Sequence, residues 1–519
     1  MKLFKAMATV AGLTGLSRIA GFIRDIMTAI IMGAGPVADA FFVALKLPNL
    51  FRRITAEGAF SVSFVPLYAE SLKKDGQNEA DSFASDAFAV MLWSLLVLTL
   101  LAMLAMPWVV HVIAPGFAGG DVRHGLATEM ARITFPYLLL MSLAALLGGI
   151  LNAHNRFAPF AFAPVLFNLS LIAALLAAGW FETAGHAMAW GVLVAGLLQF
   201  GLLYICARRA GISLKLVRPR LTPRVQRLLK LMGPGVVGAG VMHINLLADL
   251  IIASFLAAGS ISYLYYADRL NQLPLGMVGI AVGTALLPML SRALAAANAE
   301  EARHLFNRAL EICLFLALPA AVGLFFAASP IIVTLFQHGA FTIADAAVTS
   351  SVLAAYAVGI PAYILVKVYA TAYWANQDTL TPVKAAVAAT IFNIGLSLYL
   401  ALYAGLGVTG IAAATSLAGW LQIALLSRGL KAHAETQLDA RFKSTGLKIF
   451  FCCILLAAFL WVMKQLTMDV YYDGASVASK AFYLGVIVGG GAALYGVSAL
   501  ATGAIKISEL KKFIKRQDR

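Results

Sequence analysis

Two arginines, Arg18 and Arg24, interrupt the first long apolar stretch of this chain, and Arg52, Arg53 and Glu57 interrupt the second. A charge near a bilayer centre costs at least ~2.5–3.5 kcal/mol, so such residues face a cavity and mark a substrate path. A guanidinium fork holds phosphate oxygens in pairs and stays charged, which suits a diphosphate better than a lysine would. Ser17 and Arg24 stand seven residues apart and share one helix face, while Arg18 and Asp25 share the neighbouring stripe. Arg18 and Arg24 are about 9 Å apart along a helix axis, a spacing for two points on a large anion.

In the second stretch Lys46, Asn49, Arg52, Arg53 and Glu57 gather around Pro48. Proline removes a backbone donor, so a kink is expected there. Asp39, Lys46 and Arg53 recur at seven-residue intervals, and Arg53 with Glu57 has the i, i+4 spacing of an ion pair. Further along, Asp268-Arg269 stands inside an apolar stretch, between Tyr263-Leu264-Tyr265-Tyr266 and Asn271-Gln272-Leu273-Pro274. Each cluster has a plainer reading beside the functional one. Arg24 pairs with Asp25 or Asp39, the Pro48 region is a kink at a helix end, and Asp268 bridges Arg269 locally. Lys367 and Asp249 are further intramembrane charges that either pair for stability or respond to a coupling ion.

The elements that carry these residues are membrane helices. The chain is 61% hydrophobic and 12% charged, far from a soluble globular balance. Fourteen stretches long enough to cross a bilayer fall near 6–33, 37–69, 83–113, 126–152, 158–180, 186–208, 229–255, 261–291, 306–329, 346–373, 381–404, 408–428, 446–467 and 479–504. None alternates with period two as a barrel strand would, so the fold expected is all-α and polytopic. The first stretch contains two arginines and lacks a small-residue cleavage site, so it is not read as a signal peptide.

The net charge of +15 is placed for a membrane, not for nucleic acid. Basic residues from Arg208 to Lys230, from Arg428 to Lys448 and from Lys506 to Arg519 fall on one side, whereas loops such as 114–125, 180–186 and 468–478 carry almost none. That pattern puts both termini in the cytoplasm, and an even number of spans, which keeps the termini on one side, agrees with it. The four cysteines lie in or beside apolar segments and read as packing residues, and the eight histidines are scattered singly. No Walker A loop, dinucleotide fingerprint, HExxH or nucleophile elbow is present, so no catalytic residue, metal site or cofactor is expected.

The sequence repeats weakly at an offset near 222. Phe64-Val65-Pro66-Leu67 lines up with Leu286-Leu287-Pro288-Met289, and Ala153-His154-Asn155-Arg156 with Ala375-Asn376-Gln377-Asp378; Pro136 and Asn168 have near counterparts in Pro361 and Asn393. Six helices fit the spacing, which predicts two parallel six-helix lobes at 1–215 and 216–435 with a site between them. Residues 436–519 then hold two further helices and a basic tail.

The stretch Ser17-Arg18-Ile19-Ala20-Gly21-Phe22-Ile23-Arg24-Asp25, with Ala38-Asp39-Ala40-Phe41, Leu47-Pro48-Asn49-Leu50-Phe51-Arg52-Arg53 and Ala56-Glu57-Gly58-Ala59-Phe60, resembles the MurJ (MviN) lipid II flippases of bacteria. Tyr266-Ala267-Asp268-Arg269-Leu270 with Pro274 also looks like that family's eighth helix. The resemblance runs over essentially the whole chain. It implies the multidrug/oligosaccharidyl-lipid/polysaccharide (MOP) exporter fold, with the last two helices forming a groove for a polyprenyl tail. It further implies that Arg18, Arg24, Arg52 and Arg269 are cavity arginines and that Asp39, Asn49 and Glu57 are polar-site and gate positions. Ser17 joins the expected binding set, and Asp25 and Arg53 the expected salt-bridge set.

The expected activity is therefore alternating-access transfer of undecaprenyl-diphosphate-linked disaccharide pentapeptide across the inner membrane, coupled to membrane potential or to Na+ or H+. Alternatives are a flippase for another polyprenyl-diphosphate oligosaccharide of the O-antigen type and, further off, an ion-coupled drug exporter. A cation exporter would want acidic residues where arginines stand here. A membrane enzyme acting on a lipid-linked sugar would need carboxylates or histidines in large outer loops, and these loops are short.

Overall fold

The computed structural model describes residues 2–52, 60–118, 120–430, 434–472 and 475–505, and every regular element among them is helical. Ten of the helical segments are long and apolar enough to cross a membrane, among the described residues. Among the described residues, each of the apolar stretches is occupied largely by helix. The chain is thus an all-α polytopic membrane protein.

The helices are α1 (Lys2–Met32), α2 (Pro36–Arg52), α3 (Ser61–Lys74), α4 (Gln77–Leu104), α5 (Met106–Ile113), α6 (Val122–Thr134), α7 (Tyr137–Ala153), α8 (Ala158–Leu176), α9 (Ala184–Arg209) and α10 (Pro223–Ser254). They continue as α11 (Ser260–Ala295), α12 (Ala299–Phe326), α13 (Ala328–Phe336), α14 (Ile343–Ala357), α15 (Ile360–Ala375), α16 (Leu380–Leu398), α17 (Gly407–Leu430), α18 (Ala440–Leu466), α19 (Met468–Tyr472) and α20 (Val477–Ala501). Short polar side chains set several starts. Asp121, Thr183, Asn298, Thr342, Asp439 and Ser476 each accept a first-turn backbone N–H, filling one of the donors that a helix start leaves unpaired.

The weak repeat reappears in the helix boundaries. Shifting α4 by 222 residues gives 299–326, the range of α12, and shifting α8 gives 380–398, the range of α16. The left-handed residues after α7 and α15, Asn155 at φ 59° and Gln377 at φ 61°, stand at the same offset. Asparagine-like side chains tolerate that conformation better than branched ones.

By contacts the chain forms two compact units, Met1–Ser262 with His338–Phe341, and Tyr263–Gln337 with Thr342–Arg519. In the first, α1 packs on α8, α8 and α7 on α9, and α2 on α6. Its centre is α7, buried along most of its length from Tyr137 to Leu151. Segment 338–341 closes against the end of α1, where the Ala340 N–H donates to the Ile30 carbonyl at 2.8 Å. Gly33 (φ +68°) and Gly339 (φ +58°) make that approach, and a Cβ on either would sit within 2.6 Å of a backbone oxygen. In the second unit α15 takes the central place, with Ile364, Leu365, Val368 and Tyr373 packed among α12 and α17. There α18 packs on α12 and α20. Outer faces such as Phe450, Ile454 and Trp461 of α18 and Phe482, Val488 and Val497 of α20 remain exposed, as lipid-facing helices require.

Candidate substrate-binding and gating residues

Arg24 and Asp25 occupy one turn of α1 and are both buried, 7% and 4% exposed. Arg24 donates to Asp25 Oδ1 through Nη2 at 2.6 Å and Nε at 3.1 Å, and through Nη1 to Asn168 Oδ1 of α8 at 2.8 Å. Asn168 in turn donates to the Ser17 carbonyl at 2.9 Å and to Ser17 Oγ at 3.2 Å. Helical spacing makes this joint possible, because Ser17 and Arg24 lie two turns apart on one face and a single asparagine spans them. The pairing open to Arg24 in the sequence is thus made with Asp25 and not with Asp39. A diphosphate recruited by Arg24 must compete with that carboxylate. Arg18 differs: it is exposed near the middle of α1 and has no carboxylate partner among the described residues.

On α2 the helix continues through the buried Pro48 to Arg52. Asn49 and Arg52 are both half-buried, and Arg52 Nε lies 3.4 Å from Asn49 Oδ1. Arg53 and Glu57, and so the ion pair expected between them, lie outside the described residues. In the second unit Arg269 of α11 is half-buried against Tyr265, one turn earlier. Its Nη2 donates to Tyr265 Oη at 2.8 Å and its Cζ stands 4.6 Å from the ring centroid, a cation–π geometry. Beside it, Gln272 donates to Asp268. Lys367 of α15 is exposed and Asp249 of α10 half-buried.

Asp39 is wholly buried near the start of α2. Its carboxylate accepts the Gly259 N–H at 2.7 Å, the Ser262 N–H at 2.9 Å and the Ser262 hydroxyl at 2.7 Å. Asp39 therefore caps the first turn of α11 from another helix, where a carboxylate satisfies unpaired donors and the helix dipole favours negative charge. Arg123 Nη1 lies 3.6 Å from Asp39 Oδ2. That arginine is itself 6% exposed, is held by Asp121 Oδ2 through Nε and Nη2 at 2.7 Å each, and lies over Phe117 at 4.4 Å.

Arg123, Ser262 and Asn168 are the residues that sequence reasoning missed as parts of these clusters. The signal for Arg123 was its isolation: an arginine two residues after an aspartate, in a loop otherwise free of Lys and Arg. For Ser262 there was none, because an apolar stretch beginning Ser260-Ile261-Ser262 looks like any helix start. All four cysteines are free. Among the described residues no group of three or more His, Cys, Asp or Glu side chains is placed to hold a metal ion.

The family model described as "Lipid II flippase MurJ" matches residues 28–482. This chain belongs to the lipid II flippase MurJ family. Among its MurJ relatives, the probable lipid II flippase MurJ of Rhizobium meliloti is 40% identical over 99% of this chain and 97% of its own length. That of Rickettsia prowazekii is 34% identical over 96% and 98%. A solved structure titled "Lipid II flippase MurJ, inward closed conformation" superposes with a TM-score of 0.77 at 27% identity, covering 94% of this chain and 97% of its own. An inward-facing multidrug resistance MATE family transporter of the MOP superfamily shares the fold, with a TM-score of 0.67 at 15% identity over 82% of this chain and 94% of its own. The MurJ family is a transporter family.

Proposed function

We propose that this chain flips lipid II from the cytoplasmic to the outer leaflet of the bacterial inner membrane by alternating access, with both termini in the cytoplasm and no bond made or broken. Family membership over most of the chain supports the substrate. The observation that carries the chemical reading is Arg18. It is exposed about half-way along a 31-residue apolar helix without a carboxylate partner among the described residues. A guanidinium so placed faces water or an anion, because facing hydrocarbon alone would cost at least ~2.5–3.5 kcal/mol.

Arg18 makes the first capture of the diphosphate in this reading. Arg24, already oriented by Asp25 and Asn168, supplies a second donor set, and Arg52 and Arg269 contact the diphosphate or the sugar and peptide carboxylates. Arg18 and Arg24 stand about 9 Å apart along the axis of α1, a spacing that suits two points on an elongated anion better than a single small ion. The exposed apolar faces of α18 and α20 hold the polyprenyl tail at the lipid boundary.

The test is leaflet translocation of lipid II in cells, comparing the native chain with an Arg18→Ala/Arg269→Ala variant that inserts normally. Loss of transport at normal expression is expected. Retained transport would make both arginines structural and sink the assignment.

A further inference from the structure

We propose that Arg123 is the exchange partner of Asp39, the group that receives this carboxylate when segment 255–262 leaves it. In the state described here Asp39 spends its acceptors on Gly259 and Ser262. Arg123 has committed Nε and Nη2 to Asp121, and its remaining terminal nitrogen, Nη1, donates to the Leu256 carbonyl at 3.3 Å while standing 3.6 Å from Asp39. Leu256, Gly259 and Ser262 belong to one short segment between α10 and the first turn of α11. A single departure of that segment therefore strips Asp39 of three donors and, in the same movement, frees the one guanidinium nitrogen nearest to it. A shift of less than an ångström then converts the 3.6 Å separation into a direct charge-assisted hydrogen bond.

Without such an exchange, a wholly buried carboxylate would be left uncompensated, which is among the most costly events in a protein interior. Phe117, packed on the flat face of the guanidinium, keeps Arg123 beside Asp39 for the transfer, while Asp121, fixed as the cap of α6, competes for its other nitrogens. Arg123 is thus a positioning residue for opening. It does not simply hold the segment closed, although its bond to Leu256 would suggest that role. The two roles predict effects of opposite sign.

The experiment follows labelling of a Ser260→Cys reporter, at a buried position on the departing segment, in a background with Cys206, Cys313, Cys452 and Cys453 replaced by alanine. Protein in lipid nanodiscs is treated with a water-soluble maleimide and the labelling rate is recorded. Exchange predicts that Arg123→Gln slows labelling by roughly tenfold or more, since opening loses its compensating charge. Arg123→Lys should fall between. Asp121→Asn should accelerate labelling, because it releases Arg123 towards Asp39. In an Asp39→Asn background, Arg123→Gln should no longer slow it. If Arg123→Gln and Asp121→Asn both accelerate labelling, Arg123 is only a clamp and the proposal fails. An unchanged rate in both also overturns it. Should Arg123→Gln not fold, the opposite-direction shifts of Arg123→Lys and Asp121→Asn decide alone. The inference rests on the transporter reading in supposing that the segment moves, yet the assay needs no lipid II. Correct labelling with absent lipid II transport would therefore reject the substrate and leave the exchange standing.

Discussion

Arg24 carries two readings at once, a substrate donor and a structural ion pair, and one pair of variants separates them. Arg24→Ala removes the guanidinium from a carboxylate only 4% exposed, and breaking a buried pair from one side costs about 3–5 kcal/mol. It also leaves the Asn168 Oδ1 acceptor without this donor, adding about 1–3 kcal/mol. At ~1.36 kcal/mol per tenfold, the first contribution alone lowers the folded-to-unfolded ratio by more than about a hundredfold. Loss of transport in Arg24→Ala would thus say little about substrate. Arg24→Ala/Asp25→Ala removes both charges, so the ~3–5 kcal/mol contribution of the unpaired carboxylate is recovered while the Asn168 cost stays. The assay has two arms: survival of monodisperse protein after a heat challenge in mild detergent, and leaflet translocation of lipid II in cells. The double variant should survive heating far better than the single one while transport stays lost. If transport returns along with stability, Arg24 serves only to neutralise Asp25, and its role in recognising the diphosphate is refuted.

Other outcomes follow from the same geometry. Gly116→Ala should destabilise by several kcal/mol, visible as a lower heat-challenge midpoint, because its Cβ would sit 2.3 Å from the Ser254 backbone, a close approach that well-packed interiors relieve only by strain. Arg308 bridges Glu311 and Asp439 at 2.5 Å each, so Arg308→Ala should loosen the start of α18 and cost about 3–5 kcal/mol, read as faster amide exchange there. Burial pushes the Asp121 carboxyl up, but the hydrogen bonds and charge of Arg123 more than offset this and leave it below its usual 3.8. A depressed carboxylate contributes stability in full above its unfolded pKa and loses it as pH falls through the folded one. The Asp121 contribution to heat survival should therefore be constant between about pH 5 and 8, where Asp121→Asn lowers survival evenly, and Asp121→Asn should flatten the decline only below about pH 4.

The helical fold was legible because a bilayer leaves few solutions: apolar stretches of spanning length, without water for their backbones, must be helices. The repeat was legible for a related reason. Paired features such as Asn155 and Gln377 mark equivalent helix ends, and the boundaries of α4 and α12 or α8 and α16 reproduce the offset. The candidate arginines were also visible, since a charge is conspicuous against an apolar background. Their partners were less so. Helical periodicity set Ser17 and Arg24 on one face, but gave no sign that Asn168, 144 residues beyond Arg24, would join them. The kink expected at Pro48 was a local inference; α2 runs on as helix through that residue to Arg52, as a helix bent at proline also does.

What this sequence determined by itself was the class of molecule, an all-α polytopic membrane protein, and the offset near 222 that recurs in its helix boundaries. Each follows from local composition and spacing, to which solvent responds directly. Only the tertiary structure decided which charge meets which. Asp39 was one of two partners open to Arg24, yet it caps α11 and stands beside Arg123, while Arg24 takes Asp25 and Asn168. Apart from the adjacent Arg24 and Asp25, these contacts join residues 84 to 223 positions apart. Periodicity within a helix carries no information about them, because they arise from how separate helices pack.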